Sequence, residues 1–171
     1  MDQDYSESML KGRMAETLFE ELIKASGNTI YRFGYEAIMQ NLSQLREKFD
    51  RYNPVGDKIR SIPDFIVIDE NGKPILIEVK FRWNSQVYDD QDAKRFKAIG
   101  KLWNSTMVIV NCSERPYFRV TRPPYFVEEK KLLTSPLISA SEFNIKQDVY
   151  DEYELLVEKY LKHTLIPQKS V

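Results

Sequence analysis

Asp64, Glu78 and Lys80 stand inside the most apolar part of this chain. The segment Pro63-Asp64-Phe65-Ile66-Val67-Ile68 leads into a turn, and Pro74-Ile75-Leu76-Ile77-Glu78-Val79-Lys80-Phe81 leads out of it. A charge buried in such a run is costly unless it is paired or holds a metal. Two β-branched runs around Glu70-Asn71-Gly72-Lys73 predict a β-hairpin. On the second strand Glu78 and Lys80 are two residues apart and share one face. The face of Asp64 depends on the turn. A two-residue loop, Asn71-Gly72, sets Asp64 opposite Val79 and sends it away from Glu78. A three-residue loop, Glu70-Asn71-Gly72, sets Asp64 opposite Glu78 and needs Gly72 in the left-handed region of a G1 bulge. In that register two carboxylates and a lysine share one face. Adjacent carboxylates repel, and one keeps its proton unless a cation lies beside them. Mg²⁺ suits such a site, because it takes a few carboxylates together with waters and phosphate oxygens.

Pro63-Asp64 followed by Glu78-Val79-Lys80 resembles the signature of the PD-(D/E)xK nuclease superfamily. That fold is shared by many restriction enzymes, Holliday junction resolvases and repair exonucleases, and the resemblance spans roughly residues 12–111. It implies a restriction endonuclease-like α/β core, a mixed central sheet flanked by helices. It also implies an endodeoxyribonuclease that hydrolyses phosphodiester bonds with Mg²⁺, for which Mn²⁺ can substitute. Asp64, Glu78 and the backbone carbonyl of Val79 fall on the metal-ligand positions. Lys80 falls on the position that assists the attacking water. Gly12-Arg13-Met14-Ala15-Glu16 resembles the first-helix motif, with Glu16 as the matching acid. Glu16 and Glu20, four apart, read equally well as a solvated stripe. Gln91 matches a substrate-contacting glutamine of some branches, but Arg95 stands where those carry an aromatic.

Candidate contacts to DNA follow the hairpin. Arg82 and Trp83 lie just past the second strand, where a guanidinium can meet a phosphate and an indole can stack on an unpaired base. Lys94, Arg95, Lys97 and Lys101 put a basic surface on the next predicted helix. Phosphate binding and ordinary solvation account for that surface equally well. The chain of 171 residues has net charge −1, so a nucleic-acid surface has to be local.

The elements that must position these groups can be read from periodicity. Residues 1–8 are polar and are expected to fray. Residues 9–25 carry a helical stripe of Met14, Leu18, Leu22 and Ile23. Residues 29–33 predict the first strand. Residues 36–49, with Ile38, Leu42, Leu45 and Phe49, predict a helix inserted between the first two strands, and residues 50–56 a loop. The inserted helix packs on the sheet or serves a dimer or partner contact. Asp89-Asp90 opens a helix running to about residue 102, with Phe96, Ile99 and Leu102 as its buried side. Strands follow at 106–111 and 117–121, with an edge strand at 125–127 and irregular chain over 128–147. A last helix, residues 147–162, presents Val149, Tyr153, Leu156, Val157 and Tyr160, and His163 follows it.

The length fits a single domain, residues 1–171, with a nuclease-like core of about residues 9–127 and a C-terminal helical extension of about residues 147–163. One cysteine, Cys112, excludes an internal disulfide, and one cysteine with one histidine excludes an ordinary structural zinc site. An acidic, polar N-terminus and the lack of a long apolar run lead to the expectation of a cytoplasmic protein without a membrane segment. DNA is the expected partner, and a homodimer or a targeting protein would supply further specificity. Two other readings stand beside the nuclease. The same fold can serve as a catalytically inactive module that binds nucleic acid or a protein. Alternatively the hairpin is unrelated, and Glu78 and Lys80 form an ion pair in an interaction domain.

Overall fold

The computed structural model describes residues 3–34, 53–83, 89–128 and 131–162. Helix α1 covers Gln3–Ala25, six residues earlier than the apolar stripe predicts. The polar start is held as helix by its own surface pairs, such as Lys11 with Glu7 at 3.2 Å. Gly27, at φ +84°, turns the chain out of α1 and into β1, Thr29–Arg32.

Between β1 and the hairpin lies α2, Pro54–Arg60, where the sequence suggested a loop. Its stop signals are start signals. Asn53 caps it by accepting from the Gly56 N–H at 2.8 Å, and Pro54 occupies the first turn, where its missing N–H costs nothing. The helix expected over residues 36–49 lies outside the described residues. The hairpin forms as β2, Phe65–Ile68, and β3, Pro74–Arg82. Helix α3, Asp90–Trp103, is capped by Asp89, which accepts from the Asp92 N–H at 2.8 Å, and ends at left-handed Asn104. Ala93, Phe96 and Ile99 are its buried side, whereas Leu102 is 48% exposed. Leu102 lies about 60° further round the helix than Ile99, which takes it off the buried arc.

Strands β4, Thr106–Asn111, and β5, Phe118–Thr121, complete the core. The main sheet runs β1-β2-β3-β4-β5 and ends on a short edge strand further along the chain, Ser135–Pro136. Among the described strands only β3 and β4 run parallel, joined over α3 as a parallel crossover requires. The expected edge strand at 125–127 forms instead as β6, Phe126–Glu128, and pairs with β7, Lys131–Leu132, in a separate two-stranded sheet. Pro123-Pro124 take the chain off the main sheet, and the edge falls to β8, Ser135–Pro136. The segment expected to be irregular therefore holds two short strands and two 3₁₀ turns, Leu137–Ser139 and Ser141–Phe143, which bury Leu137 and Phe143. The mixed, helix-flanked α/β sheet is the architecture expected of the chain. No described helix is long and apolar enough to cross a membrane.

Two apolar layers flank the sheet. Phe65, Val67, Ile77, Val79, Val108 and Val110 face α1 and the C-terminal helix α4, Gln147–Val157, which continues as a π-helical turn, Glu158–Lys162. Met107 and Ile109 face α3, where they pack with Phe96, Tyr125 and Leu132. The buried side of α4 is Tyr150, Glu154 and Val157, continuing to Leu161, a rotation from the face read in the sequence. Val149 and Tyr153 sit at its margin, and Tyr160 is exposed. Glu154 causes the difference. Only 3% exposed, its Oε1 accepts from the N–H groups of Tyr117 at 2.7 Å and Phe118 at 3.2 Å. Tyr150 donates its hydroxyl to the Phe118 carbonyl at 3.0 Å. A pattern of apolar residues reads Glu154 as solvated, yet it satisfies the backbone at the start of β5. His163 lies outside the described residues. Cys112 is buried, and burial pushes its thiol up to about 12.

Replacing Glu154 tests this. Glu154→Leu leaves two buried N–H groups without an acceptor and is expected to cost about 2–4 kcal/mol in urea unfolding. Glu154→Gln keeps an acceptor and is expected to cost less than half as much.

Candidate active site

The turn between β2 and β3 is the three-residue form. The Gly72 N–H donates to the Asp69 carbonyl and the Asp69 N–H to the Lys73 carbonyl, both at 3.0 Å. Gly72 has φ +77°, a conformation that a residue with a Cβ adopts only at a cost. Asp69 reinforces the turn, its Oδ1 accepting from the N–H groups of Asn71 and Lys73 at 2.9 and 2.8 Å. The strands therefore pair Phe65 with Ile77 and Ile66 with Leu76. One step further along the same register, Asp64 lies opposite Glu78.

Asp64 is anchored through its backbone and its side chain. Its carbonyl accepts from the Phe33 and Gly34 N–H groups at 2.8 and 3.0 Å, which ties the end of β1 to it. A Cβ on Gly34 would lie 3.3 Å from Asp64 Cα, so the glycine permits this approach. Asp64 Oδ2 accepts from the Val79 N–H at 2.8 Å, reaching across to the strand that carries Glu78. Glu78 is 4% exposed and sits 2.5 Å from the Lys80 ammonium. Across the sheet Glu78 pairs with Met107 and Lys80 with Ile109, both of the α3-side layer. The three groups thus meet on the α3 side.

The electrostatics follow from this crowding. Burial and then the charge of Glu78 push the Asp64 carboxyl up to about 7, against the pull of Lys80 and the Val79 N–H. Glu16 adds a smaller upward push, so it lies within electrostatic range. Glu16 belongs to α1, on the other side of the sheet, and its carboxylate is 3.7 Å from Arg32. Arg32 also pairs with Glu20 at 2.6 Å and covers the Phe65 ring at 5.3 Å. Arg32 was not singled out in the sequence, where an isolated arginine ending a strand gives no signal.

The remaining candidates surround this centre. Arg82 is bound to Asp92 at 2.6 Å and lies over Phe96 at 5.8 Å, which fastens the end of β3 to the first turn of α3. Trp83 is 40% exposed. Lys94, Arg95, Lys97 and Lys101 are exposed along α3, and Gln91 lies with Lys94 and Arg95 in the groove between α3 and α2. Tyr125, which the sequence reading placed only in an edge strand, packs beside Met107 and donates its hydroxyl to the Ser105 carbonyl at 2.6 Å.

The donors at Asp64 and Glu78 are hard oxygens. Among the described residues no group of three or more histidine, cysteine or acidic side chains gathers. Two carboxylates with open positions left to water and phosphate suit Mg²⁺ or Mn²⁺ and do not suit structural zinc. The raised Asp64 carboxyl is itself a fit, since a dication beside the pair removes the repulsion that raises it.

This site has a consequence for stability. A carboxyl with a higher pKa folded than unfolded binds its proton more tightly in the folded state. Its contribution is complete below the ordinary 3.8 and is lost as the pH rises through about 7. In chelator at pH 8, Asp64→Asn is expected to raise stability by about 1–2 kcal/mol, a Tm rise of roughly 2–8 °C. By pH 4 the gain should vanish. Thermal melts of both proteins across this range measure it.

No family model matches the chain, and no curated protein matches it. Among solved structures it is similar to Archaeoglobus fulgidus Hjc, a Holliday junction resolvase from an archaeal hyperthermophile, with a TM-score of 0.41 and 13% sequence identity. That similarity covers 82% of this chain and 93% of the resolvase chain.

Proposed function

We propose that this chain is a metal-dependent nuclease that hydrolyses phosphodiester bonds in DNA. The observation that carries the reading is the bulged turn, which sets Asp64 opposite Glu78 with Lys80 against Glu78 at 2.5 Å. Asp64, Glu78 and the Val79 carbonyl would hold Mg²⁺, or Mn²⁺ in its place. A bound dication supplies Lewis-acid polarisation of the phosphate and a nucleophile near neutral pH. The chain's own groups do the rest. The Val79 N–H fixes the orientation of the Asp64 carboxylate. Glu78 holds the Lys80 ammonium at the site, where its charge offsets negative charge developing on the phosphate and orients the attacking water. The apolar layer under α3 keeps one side of the site dry and strengthens these interactions. Glu16 would act at longer range, through water.

Nucleic-acid contact is assigned to the exposed cations of α3 and to Trp83. Arg82 would take part by exchanging Asp92 for a phosphate. A homodimer or a targeting protein would add specificity, and the cytoplasm is the proposed compartment. A second reading, an inactive module of the same architecture, draws on two observations. Glu78 is already neutralised by Lys80, and Glu16 is turned toward Arg32.

The readings separate at Lys80 and Asp64. Mn²⁺ calorimetry is expected to show binding by the wild type and none by Asp64→Ala. Lys80→Ala is expected to keep DNA affinity within a few-fold, since one phosphate contact is a small part of the total. Its cleavage of branched, nicked, linear or single-stranded DNA should fall about 10²-fold or more. Equal cleavage by Lys80→Ala, or no cleavage of any of these by the wild type with Mg²⁺ or Mn²⁺, would leave the inactive module as the reading.

A further inference from the structure

A hollow of about 370 Å³ opens between the C-terminal half of α3 and the segment 123–126. Its walls are mostly apolar, with Pro123, Pro124, Tyr125 and Phe126 on one side and Lys97, Gly100 and Lys101 of α3 on the other. Gly100 allows the two sides to approach. A Cβ there would lie 2.9 Å from Tyr125 Cε2 and 3.4 Å from Pro123 Cγ. The Lys97 ammonium lies 5.7 Å from the centre of the Phe126 ring, which is itself stacked on Phe96. Lys97 and Lys101 are one helical turn apart, about 6 Å along the axis.

The charge of α3 is divided along its length. Its acids, Asp90 and Asp92, lie in the first turn, and from residue 93 to 103 it carries Lys94, Arg95, Lys97 and Lys101 with no acid. Among the described residues none of these cations forms an ion pair. An apolar wall with two closely spaced cations complements a ligand with a flat apolar body and neighbouring anionic groups. A nucleotide with an unpaired base has that form, the base for the half-buried Phe126 ring and its flanking phosphates for the lysines. A base inside a duplex has its faces covered by its neighbours. Tyr125 connects this hollow to the candidate active site, because it packs with Met107, the cross-strand neighbour of Glu78.

We infer that the hollow holds an unpaired nucleotide of the substrate, so that this chain recognises nucleic acid where a single-stranded base adjoins the site. The inference rests on the nucleic-acid reading above and narrows its substrate class to structures with unpaired bases.

Fluorescence anisotropy in chelator, where nothing is cut, tests it with a labelled thymidine single strand and a blunt duplex of equal length. The wild type is expected to bind the single strand at least five-fold tighter, as one base stacked on an aromatic wall provides. The double variant Lys97→Ala/Lys101→Ala should bind the single strand ten-fold or more weakly. Its log-affinity against log-salt slope should flatten by about 1.4, corresponding to two phosphate contacts. Phe126→Leu, which keeps an apolar filling without the ring, should lose most of the single-strand preference while retaining the wild-type salt slope. Circular dichroism melts establish that each variant is folded. Equal affinity of the wild type for the two DNAs overturns the inference, as does unchanged single-strand binding by the lysine variant. Binding to phosphatidylglycerol vesicles with none to the single strand also overturns it. Duplex cleavage with Mg²⁺ and no single-strand preference would sink this inference and leave the nuclease standing. The preference without any cleavage would do the reverse.

Discussion

Asp64 and Glu78 are brought together inside an apolar hairpin, and much of the surrounding structure holds them there against their mutual repulsion. Like charges in a poorly solvated place are tolerated only with compensation. Here it comes from the Lys80 ammonium, from the Val79 N–H, and from a proton that Asp64 retains up to about pH 7. The carboxylates are not free to separate. The Asp64 backbone is fastened to β1 through Phe33 and Gly34, and Glu78 lies in a strand paired on both sides. An arrangement that costs stability and persists because its frame is rigid is what the proposed cation site requires.

The frame is a division of labour between the two faces of the sheet. The α1 and α4 side is the larger apolar core and carries most of the burial. It also hides a second carboxylate, Glu154, whose task is backbone satisfaction at β5. The α3 side is thinner and lies directly beside Glu78 and Lys80. Helix α3 has a buried stripe toward the sheet and cations on its outer side. Arg82 ties that helix to the end of β3 through Asp92, so the basic surface and the carboxylates form one mechanical unit.

Local chemistry was enough to determine the hairpin. Asn71-Gly72 between β-branched runs names the turn, and the parity of Asp64 against Glu78 follows from loop length alone, because side chains alternate with period two. Choosing between a two-residue and a three-residue loop was beyond periodicity. Asp69 decides it, by accepting two turn N–H groups with its side chain. The helix stripes of α1 and α3 were legible for the same reason as the strands, since one face of each meets a core. Leu102 escaped because it lies at the margin of its stripe.

Tertiary structure decided what pattern could not. Glu154 is inside because it accepts from the N–H groups of Tyr117 and Phe118 where β5 begins, and no hydrophobic period signals such a hydrogen bond. Residues 54–60 form a helix because Asn53 and Pro54, which also stop helices, here begin one. The segment after Pro123-Pro124 leaves the main sheet, so its edge is completed by Ser135–Pro136 from further along the chain. Glu16 matched a motif by sequence, yet its side chain is drawn to Arg32, a partner brought close only when β1 packs beside α1. Sequence determines interactions between residues a few positions apart, whose geometry the backbone itself enforces. Partners many positions apart are selected by the packed structure, through burial and through donors and acceptors left unpaired until the chain closes on them.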